Sequence, residues 1–315
     1  MPKKLRKYWE RFNSVIIVYV FLIVVLTAVS IVFPVFRSPR NLSNVLIQIT
    51  PLAIIAIGQT IALIGGGVDL TVGVVASFTT VLAGNFMGQS PFGVFITIIF
   101  IFLIAIVIGT VNGVICNETK IPPLIVTLAT GSIIRGIILS YRMSPGGSVP
   151  RAIVHFFNIE FSIFSIATVV LILLYVIFTL IMSRTKFGIS VYAMGGNPEF
   201  ARMAGISVKK VRIMTYIISA VLAAVAGLVI SARTGTGIPN VGDPFLMDSL
   251  TAVIIGGATF AGGQGFIVGS FAGAVIVSII HNVLNISNVS PFYQYIAKGA
   301  VLLIAMILNS RKKKL

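Results

Sequence analysis

Long apolar runs separated by short polar segments follow one another along almost the whole chain. Residues 15–33, VIIVYVFLIVVLTAVSIVF, carry no charge over nineteen positions, and an α-helix needs about 20 such residues to cross the hydrocarbon core of a bilayer. We therefore expect about ten membrane-spanning helices. They are predicted at 15–35, 43–64, 68–87, 92–115, 123–141, 161–182, 213–231, 246–259, 266–284 and 292–309.

Glycine interrupts two of these predicted spans. One break lies between Gly65 and Asp69, in GGGVDL, and the other lies between Gly256 and Gly265, in GGATFAGGQG. Glycine adopts conformations that end a helix and allows close helix contacts, and irregular backbone persists at membrane depth only where protein or water surrounds it. The breaks occupy similar places in two halves of five spans. This arrangement points to a translocation pathway and is compatible with an inverted repeat.

The overall composition is that of a membrane protein. The chain is 57% hydrophobic and only 10% charged, whereas a soluble domain has about 25% charged residues, and its mean hydropathy is +1.08. The first apolar run is too long for a signal peptide, and no small-residue cleavage site follows it. The sequence therefore predicts an all-α fold: a polytopic transmembrane helical bundle in a lipid bilayer, with a single domain over residues 1–315.

The distribution of basic residues predicts the orientation of the bundle. The net charge of +16 would suggest nucleic acid as the partner of a soluble protein, but cytoplasmic loops of membrane proteins carry the same excess of Lys and Arg. With ten spans, the two termini, Lys120 and the connection 183–212 lie on one side and hold 16 of the 23 basic residues. We therefore expect both termini and residues 184–212 in the cytoplasm, and no nucleic acid partner.

The chain lacks the residue patterns of the common catalytic and metal sites. It has no Gly-Lys dipeptide and hence no phosphate-binding loop of the Gly-x-x-x-x-Gly-Lys-Ser/Thr type, so we do not expect it to hydrolyse ATP itself. Its only cysteine, Cys116, excludes an internal disulfide framework and a multi-cysteine metal site. The two histidines, His155 and His281, are isolated and make no metal site; a surface or helix-packing role is expected for each. We expect no catalytic residue, metal or cofactor.

A few polar residues inside the predicted spans are candidates for the translocation pathway. A carboxylate in the bilayer costs several kcal/mol unless it is paired, hydrated or protonated. Asp69 either caps the helix that follows the glycine break, contacts the substrate, or relays protons. Gln59 and Asn112 either bind neighbouring helices or line the pathway. The predicted pathway residues are Gln59, Asp69, Asn112 and Asp248.

Two basic residues also interrupt apolar spans. Arg135 lies in TLATGSIIRGIILSY and Lys298 lies in YQYIAKGAVLLIA. Each side chain either extends to the membrane interface or pairs with Asp69 or Asp248.

Several motifs, in order along the chain, resemble the membrane permease subunits of ATP-binding-cassette importers for ribose and other simple sugars. They include GQTIALIGGGVDLTVGVV, NGVICNETKIPPLIVTLATGSIIRGI and KFGISVYAMGGNPEFARMAGISVKKVRIMTYIISAVLAAVAGL. The C-terminal segments GDPFLMDSLTAVIIGGATFAGGQGFIVGSFAGAVI and NVSPFYQYIAKGAVLLIAMIL are similar to the same family. The resemblance is patchy before residue 45 and nearly continuous from there to 309.

The resemblance implies a set of partners and a location. Such a permease forms a homo- or heterodimer in the cytoplasmic (inner) membrane of a prokaryote, separate ATPase subunits dock beneath it, and an extracytoplasmic sugar-binding protein delivers the substrate. Two positions depart from the family: Leu246 stands where members often have an acidic residue, and His281 where many have Asn. A nucleoside or autoinducer importer of the same family remains an alternative. An ion-coupled secondary carrier and a membrane-embedded enzyme are weaker ones.

Within the predicted cytoplasmic segment, YAMGGNPEFARMAGIS at 192–207 is expected to couple the permease to its ATPase. The pattern predicts a short helix of about seven residues. A pair of glycines permits a sharp turn, an N-cap and a proline begin the helix, an acidic residue favours its positive end, and a glycine ends it. Between these two ends, the short helix carries a small apolar face. These residues are Gly195, Gly196, Asn197, Pro198, Glu199, Phe200, Met203, Ala204 and Gly205.

Overall fold

The computed structural model describes residues 3–161 and 164–311, and helices dominate it. The two strands, β1 (Glu160–Phe161) and β2 (Phe164–Ser165), form a small antiparallel pair, and a 3-10 turn covers Pro34–Arg37. The α-helices are α1 (Lys3–Val32), α2 (Pro39–Ile64), α3 (Val72–Phe86), α4 (Pro91–Glu118), α5 (Pro123–Tyr141), α6 (Arg151–Phe157), α7 (Ile166–Arg184), α8 (Lys186–Gly196), α9 (Pro198–Met203), α10 (Val208–Thr234), α11 (Asp243–Ile255), α12 (Ile267–Ile286) and α13 (Pro291–Arg311).

The predicted helical bundle is confirmed, whereas the number of spans stays a prediction. Within the described residues, seven helices are long and apolar enough to cross a membrane. They are α1, α2, α4, α5, α7, α10 and α12. The predicted spans 68–87 and 246–259 contain the shorter helices α3, of 15 residues, and α11, of 13 residues. The span predicted at 292–309 falls within α13. The inverted repeat also stays a prediction.

Three helices begin five or more residues from the predicted start of their span. Helix α1 begins at Lys3, although its span was predicted from 15, and so includes the basic residues that precede the apolar run. The span predicted from 161 begins as α7 at Ile166, because the preceding residues form the β1–β2 pair and the Ser165 side chain accepts the backbone N–H of Thr168. The span predicted from 213 begins as α10 at Val208, because the helix continues beyond the apolar stretch into a basic first turn. Apolar length alone therefore misjudges where a helix begins.

Helix α2 forms the centre of the bundle. It is buried along most of its length and packs against α10, α12, α11 and α7. Helix α10 in turn packs closely against α4, where Gly109 and Gly113 face Ile217 and Ile213. A methyl group on either glycine would lie 2.5 Å from the Cα atom of the facing isoleucine. Small residues let helix backbones approach in this way, and such packing is a main source of stability between membrane helices.

The two ends of the bundle differ in construction. At one end, which we call the loop end, the connections 87–90, 142–150 and 235–242 meet, and Gly146 and Gly237 form an antiparallel bridge. The N–H of Ser148 also donates to the carbonyl of Gly84 there, at 2.8 Å. The other end, which we call the α9 end, contains α8, α9 and both glycine breaks. The breaks are therefore placed against the segment predicted to couple to the ATPase.

Candidate functional site

The first predicted break is a turn between α2 and α3. Helix α2 ends at Ile64, Gly66 adopts a left-handed conformation with φ +79°, and α3 begins at Val72. Within this turn, a carboxylate oxygen of Asp69 accepts the backbone N–H of Thr71 at 2.9 Å and also accepts the Thr71 hydroxyl. Asp69 does not itself cap α3: Thr71 is the N-cap, no side chain accepts an N–H of the first turn of this helix, and Asp69 instead holds Thr71 in place within the turn.

Polar side chains gather around this break in the interior of the protein. Gln59, Asp69, Asn112, Tyr216 and Ser219 are each 0 or 1% exposed, and we call these five residues the buried polar cluster. The Asn112 amide donates to the Thr71 hydroxyl at 3.3 Å, so it binds a neighbouring segment, as one of its two interpretations predicted.

The buried polar cluster retains unused hydrogen-bonding capacity. Each of its five residues has at least one buried side-chain oxygen or nitrogen without a hydrogen bond of standard geometry. Buried polar groups in native proteins are nearly always hydrogen-bonded, and each exception costs about 1–3 kcal/mol. The cluster therefore has donors and acceptors available for a polar molecule or for a rearranged set of internal contacts.

A cavity of about 430 Å³ lies at the loop end. Its walls come from the amino half of α2, the carboxyl ends of α10 and α12, and the amino halves of α11 and α13. Both polar and aromatic side chains face it. Those with polar groups are Gln48, Arg233, Thr234, Asp248, Ser278, His281, Asn285, Gln294, Tyr295 and Lys298.

Asp248 is the centre of a charged group in this loop-end cavity. Its side chain is 7% exposed, and one carboxylate oxygen lies 3.2 Å from Nζ of Lys298 and 3.3 Å from Nε2 of His281. Of the alternatives considered for Lys298, the structure shows the pairing with Asp248. His281 was not predicted to lie beside a carboxylate. Removing one partner of such a buried pair would leave an uncompensated charge, which is strongly destabilising.

The predicted pathway residues therefore fall in two places. Gln59, Asp69 and Asn112 belong to the buried polar cluster, whereas Asp248 lines the loop-end cavity. Helix α2 connects them: Leu52 lines the cavity, and Gln59 lies seven residues further along, or about 10 Å at 1.5 Å per residue.

Arg135 pairs with neither Asp69 nor Asp248, so that alternative does not hold for it. Its guanidinium group binds both carboxylate oxygens of Asp243, and the two side chains are 29% and 41% exposed. Asp243 was missed by the sequence analysis. Its signal was its place in the first turn of a helix with proline next to it, where a carboxylate favours the positive helix end.

The short helix α9 has the predicted ends. The Asn197 side chain accepts the N–H groups of Glu199 and Phe200 at 2.9 and 3.1 Å, Pro198 is the first helical residue, and Gly205 follows the helix with φ +81°. The predicted turn at Gly195 and Gly196 was wrong. Both glycines are the last residues of α8, and the chain turns at Asn197.

One face of α9 is anchored and the other is exposed. Ala201 is 3% exposed and packs with Met194 and Val208. On the other side Phe200 is 70% and Met203 84% exposed, and Ala204 is exposed beside them. We call Phe200, Met203 and Ala204 the apolar face of α9.

Among residues 3–161 and 164–311, no three His, Cys, Asp or Glu side chains form a group that would hold a metal ion.

Comparison with known proteins shows the family. Residues 41–306 match the family described as the branched-chain amino acid transport system permease component. The chain is 33% identical over 309 residues to the ribose import permease protein RbsC of Bacillus subtilis, with 92% of this chain and 91% of that protein covered. No solved structure matches the chain.

Two further relatives resemble the chain over nearly its full length. The ribose import permease protein RbsC of Escherichia coli is 31% identical over 298 residues, with 93% of this chain and 92% of that protein covered. The galactose/methyl galactoside import permease protein MglC of the same species is 31% identical over 318 residues, with 94% of each covered.

The role of Asp69 is tested by two substitutions of similar size. Asp69→Asn should retain more transport activity than Asp69→Leu, because Asn keeps an oxygen that accepts the Thr71 N–H, whereas Leu keeps none. Loss of one such hydrogen bond costs about 0.5–1.5 kcal/mol. Transport is measured at equal amounts of folded protein in the membrane. Equal inactivity of both variants would show that the negative charge itself is required.

Proposed function

The chain belongs to this family of transport-system permease components, and from that premise we propose that it forms the transmembrane pathway of an ATP-binding-cassette importer for a monosaccharide, ribose or a similar simple sugar. The observation that carries the proposal is the near-complete match to ribose and galactose import permeases, which covers more than 90% of each chain.

The chemistry of the loop-end cavity suits a sugar. A monosaccharide offers hydroxyl groups that both donate and accept hydrogen bonds, and carboxylates, amides and hydroxyls provide the complementary groups. Asp248, Gln48 and Asn285 supply such groups next to the ring of Tyr295. We propose that a sugar released at the loop end enters here, and that Gln59, Asp69 and Asn112 contact it deeper in the bundle when the first break rearranges.

The ATPase is a separate subunit in this proposal. The chain has no phosphate-binding loop, and α9 offers an apolar face that the other residues described by the structure leave exposed. Exposed apolar groups of this kind are typical of a contact with another protein. We propose that the apolar face of α9 inserts into a groove of the ATPase, that a second permease subunit completes the pathway, and that an extracytoplasmic binding protein delivers the sugar.

The substrate class is tested by uptake. Cells that contain the chain with its importer partners should take up labelled ribose or galactose, and cells lacking only this chain should not. Uridine is measured in parallel, because a nucleoside importer of the same family is the alternative. Uptake of uridine without sugar uptake would show that the substrate is a nucleoside and not a monosaccharide. Uptake that persists without ATP would show that the chain is not part of an ATP-driven importer.

Coupling through α9 is tested by Ala204→Glu. A charge placed on the apolar face of α9 should prevent its burial in the ATPase, since burying an unpaired charge is costly. We expect normal insertion and dimerisation, with loss of ATPase co-purification or of sugar-stimulated ATP turnover. Ser207→Glu is the control, because it adds the same charge at an exposed position outside α9. Wild-type association and turnover in Ala204→Glu would exclude this role for α9.

The orientation is tested by cysteine labelling in a Cys116→Ser background. Met143 and Glu199 are exposed and lie at the loop end and in α9, respectively. The charge distribution predicts that Met143→Cys reacts with an impermeant maleimide in intact cells and that Glu199→Cys reacts only after lysis. Labelling of position 199 from outside would overturn the orientation and the ten-span topology together.

A further inference from the structure

The last turn of α8 touches both glycine breaks through backbone atoms. Gly195 is buried, and a methyl group there would overlap the carbonyl oxygen of Ile64, the last residue of α2. The same methyl group would lie 2.6 Å from the backbone nitrogen of Gly263, in the second break. Only glycine therefore allows α8 to approach the two breaks this closely.

The two breaks are also bonded to each other at this point. The N–H of Gly263 donates to the carbonyl of Ile64 at 2.8 Å. A methyl group on Gly262 would lie 2.6 Å from the Gly195 carbonyl oxygen and 2.9 Å from the Cα of Gly66. The three segments touch here through backbone atoms. A backbone contact cannot take up a displacement by a change of side-chain rotamer. A shift of α8 must therefore move both breaks, because close-packed contacts transmit strain.

A side chain of α8 provides a second connection to the second break. The hydroxyl of Tyr192 donates to the carbonyl of Gly265 at 2.7 Å. Tyr192 lies one helical turn before Gly195, so α8 contacts the second break at two successive points. Helix α9 begins directly after α8, with only Asn197 between them. A force on α9 therefore reaches the breaks through one turn of helix.

We propose that Gly195 is a positioning residue for transport: its backbone contact with Ile64 and Gly263 transmits the movement of α9 to both breaks at once. The proposal rests on the proposed function, in which α9 contacts the ATPase. The proposal adds that one backbone contact moves the two breaks together. The first break carries Asp69, and the second break follows α11, which carries the cavity residue Asp248.

The test compares the same substitution at two adjacent glycines. Gly195→Ala places a methyl group against Ile64 and Gly263, whereas a methyl group on Gly196 meets no atom within 4 Å. In the full importer reconstituted in vesicles, Gly195→Ala should keep the ATPase bound but lower sugar-stimulated ATP turnover and sugar uptake about tenfold or more, since small displacements of coupled groups cost this much. Gly196→Ala should behave as wild type in both assays.

Tyr192→Phe is a milder variant that removes one hydroxyl and keeps the ring. If Gly195→Ala does not accumulate in the membrane, Tyr192→Phe alone tests whether the contact of α8 with the breaks transmits movement. One hydrogen bond corresponds to about twofold to tenfold in an equilibrium, so stimulated turnover should fall by that factor, with basal turnover and ATPase co-purification unchanged. A merely structural contact would instead lower thermal stability and leave the ratio of stimulated to basal turnover as it was.

The outcomes separate this inference from the proposed function. Wild-type stimulation in both Gly195→Ala and Tyr192→Phe, with the ATPase bound, would overturn the transmission role and leave the importer assignment intact. Loss of ATPase binding in Tyr192→Phe would also overturn it, because the contact would then serve docking. If the wild-type chain neither binds the ATPase nor responds to sugar, the proposed function fails before any variant is compared.

Discussion

The end of α2 imposes the main constraint on this fold. A helix that stops inside a membrane protein leaves its last four carbonyl groups without helical partners, and neither lipid nor bulk water satisfies them. Here the carbonyls of Ile61, Ala62 and Leu63 accept N–H groups from the three glycines that follow, at 2.9–3.0 Å, and the carbonyl of Ile64 accepts the N–H of Gly263. The first break is therefore stable only with the second break beside it.

This constraint explains much of the arrangement around the breaks. Three segments must bring backbone to backbone at one point, so glycine is required in each of them, and α8 is packed against α2 and the second break. The turn that follows α2 also places Asp69 in the interior, where its carboxylate accepts the Thr71 hydroxyl and Asn112 in turn binds that hydroxyl. The acids Glu118, Asp243 and Asp248 instead lie beside Lys209, Arg135 and Lys298. Asp69 thus occupies a different electrostatic environment from these acids.

The sequence was sufficient to predict those structural features that depend only on neighbouring residues. The ends of α9 follow from Asn197, Pro198 and Gly205, because capping and left-handed glycine are decided within one turn. The family motifs and the apolar runs were sufficient for the helical bundle. In contrast, the role of Gly195 depends on Ile64, 131 positions earlier in the chain, and on Gly263, 68 positions later. When only the neighbouring residues are considered, a pair of glycines next to an N-cap predicts a turn, which is why the sequence prediction for Gly195 was wrong. Arg135 and Asp243, 108 positions apart, could not be paired from their spacing for the same reason.

The conformation of α9 depends on contacts with the rest of the bundle as well as on its own capping residues. A helix of six residues is far below the length at which an isolated helix is stable in water, and the exposed Phe200 and Met203 contribute little to holding it in place. Its conformation is fixed by the Asn197 cap, by Ala201 packed between Met194 and Val208, and by the attachment of α8 to the breaks. The apolar face is therefore presented in one orientation relative to both breaks. A partner that binds this face encounters a preformed surface and need not spend binding energy on ordering it.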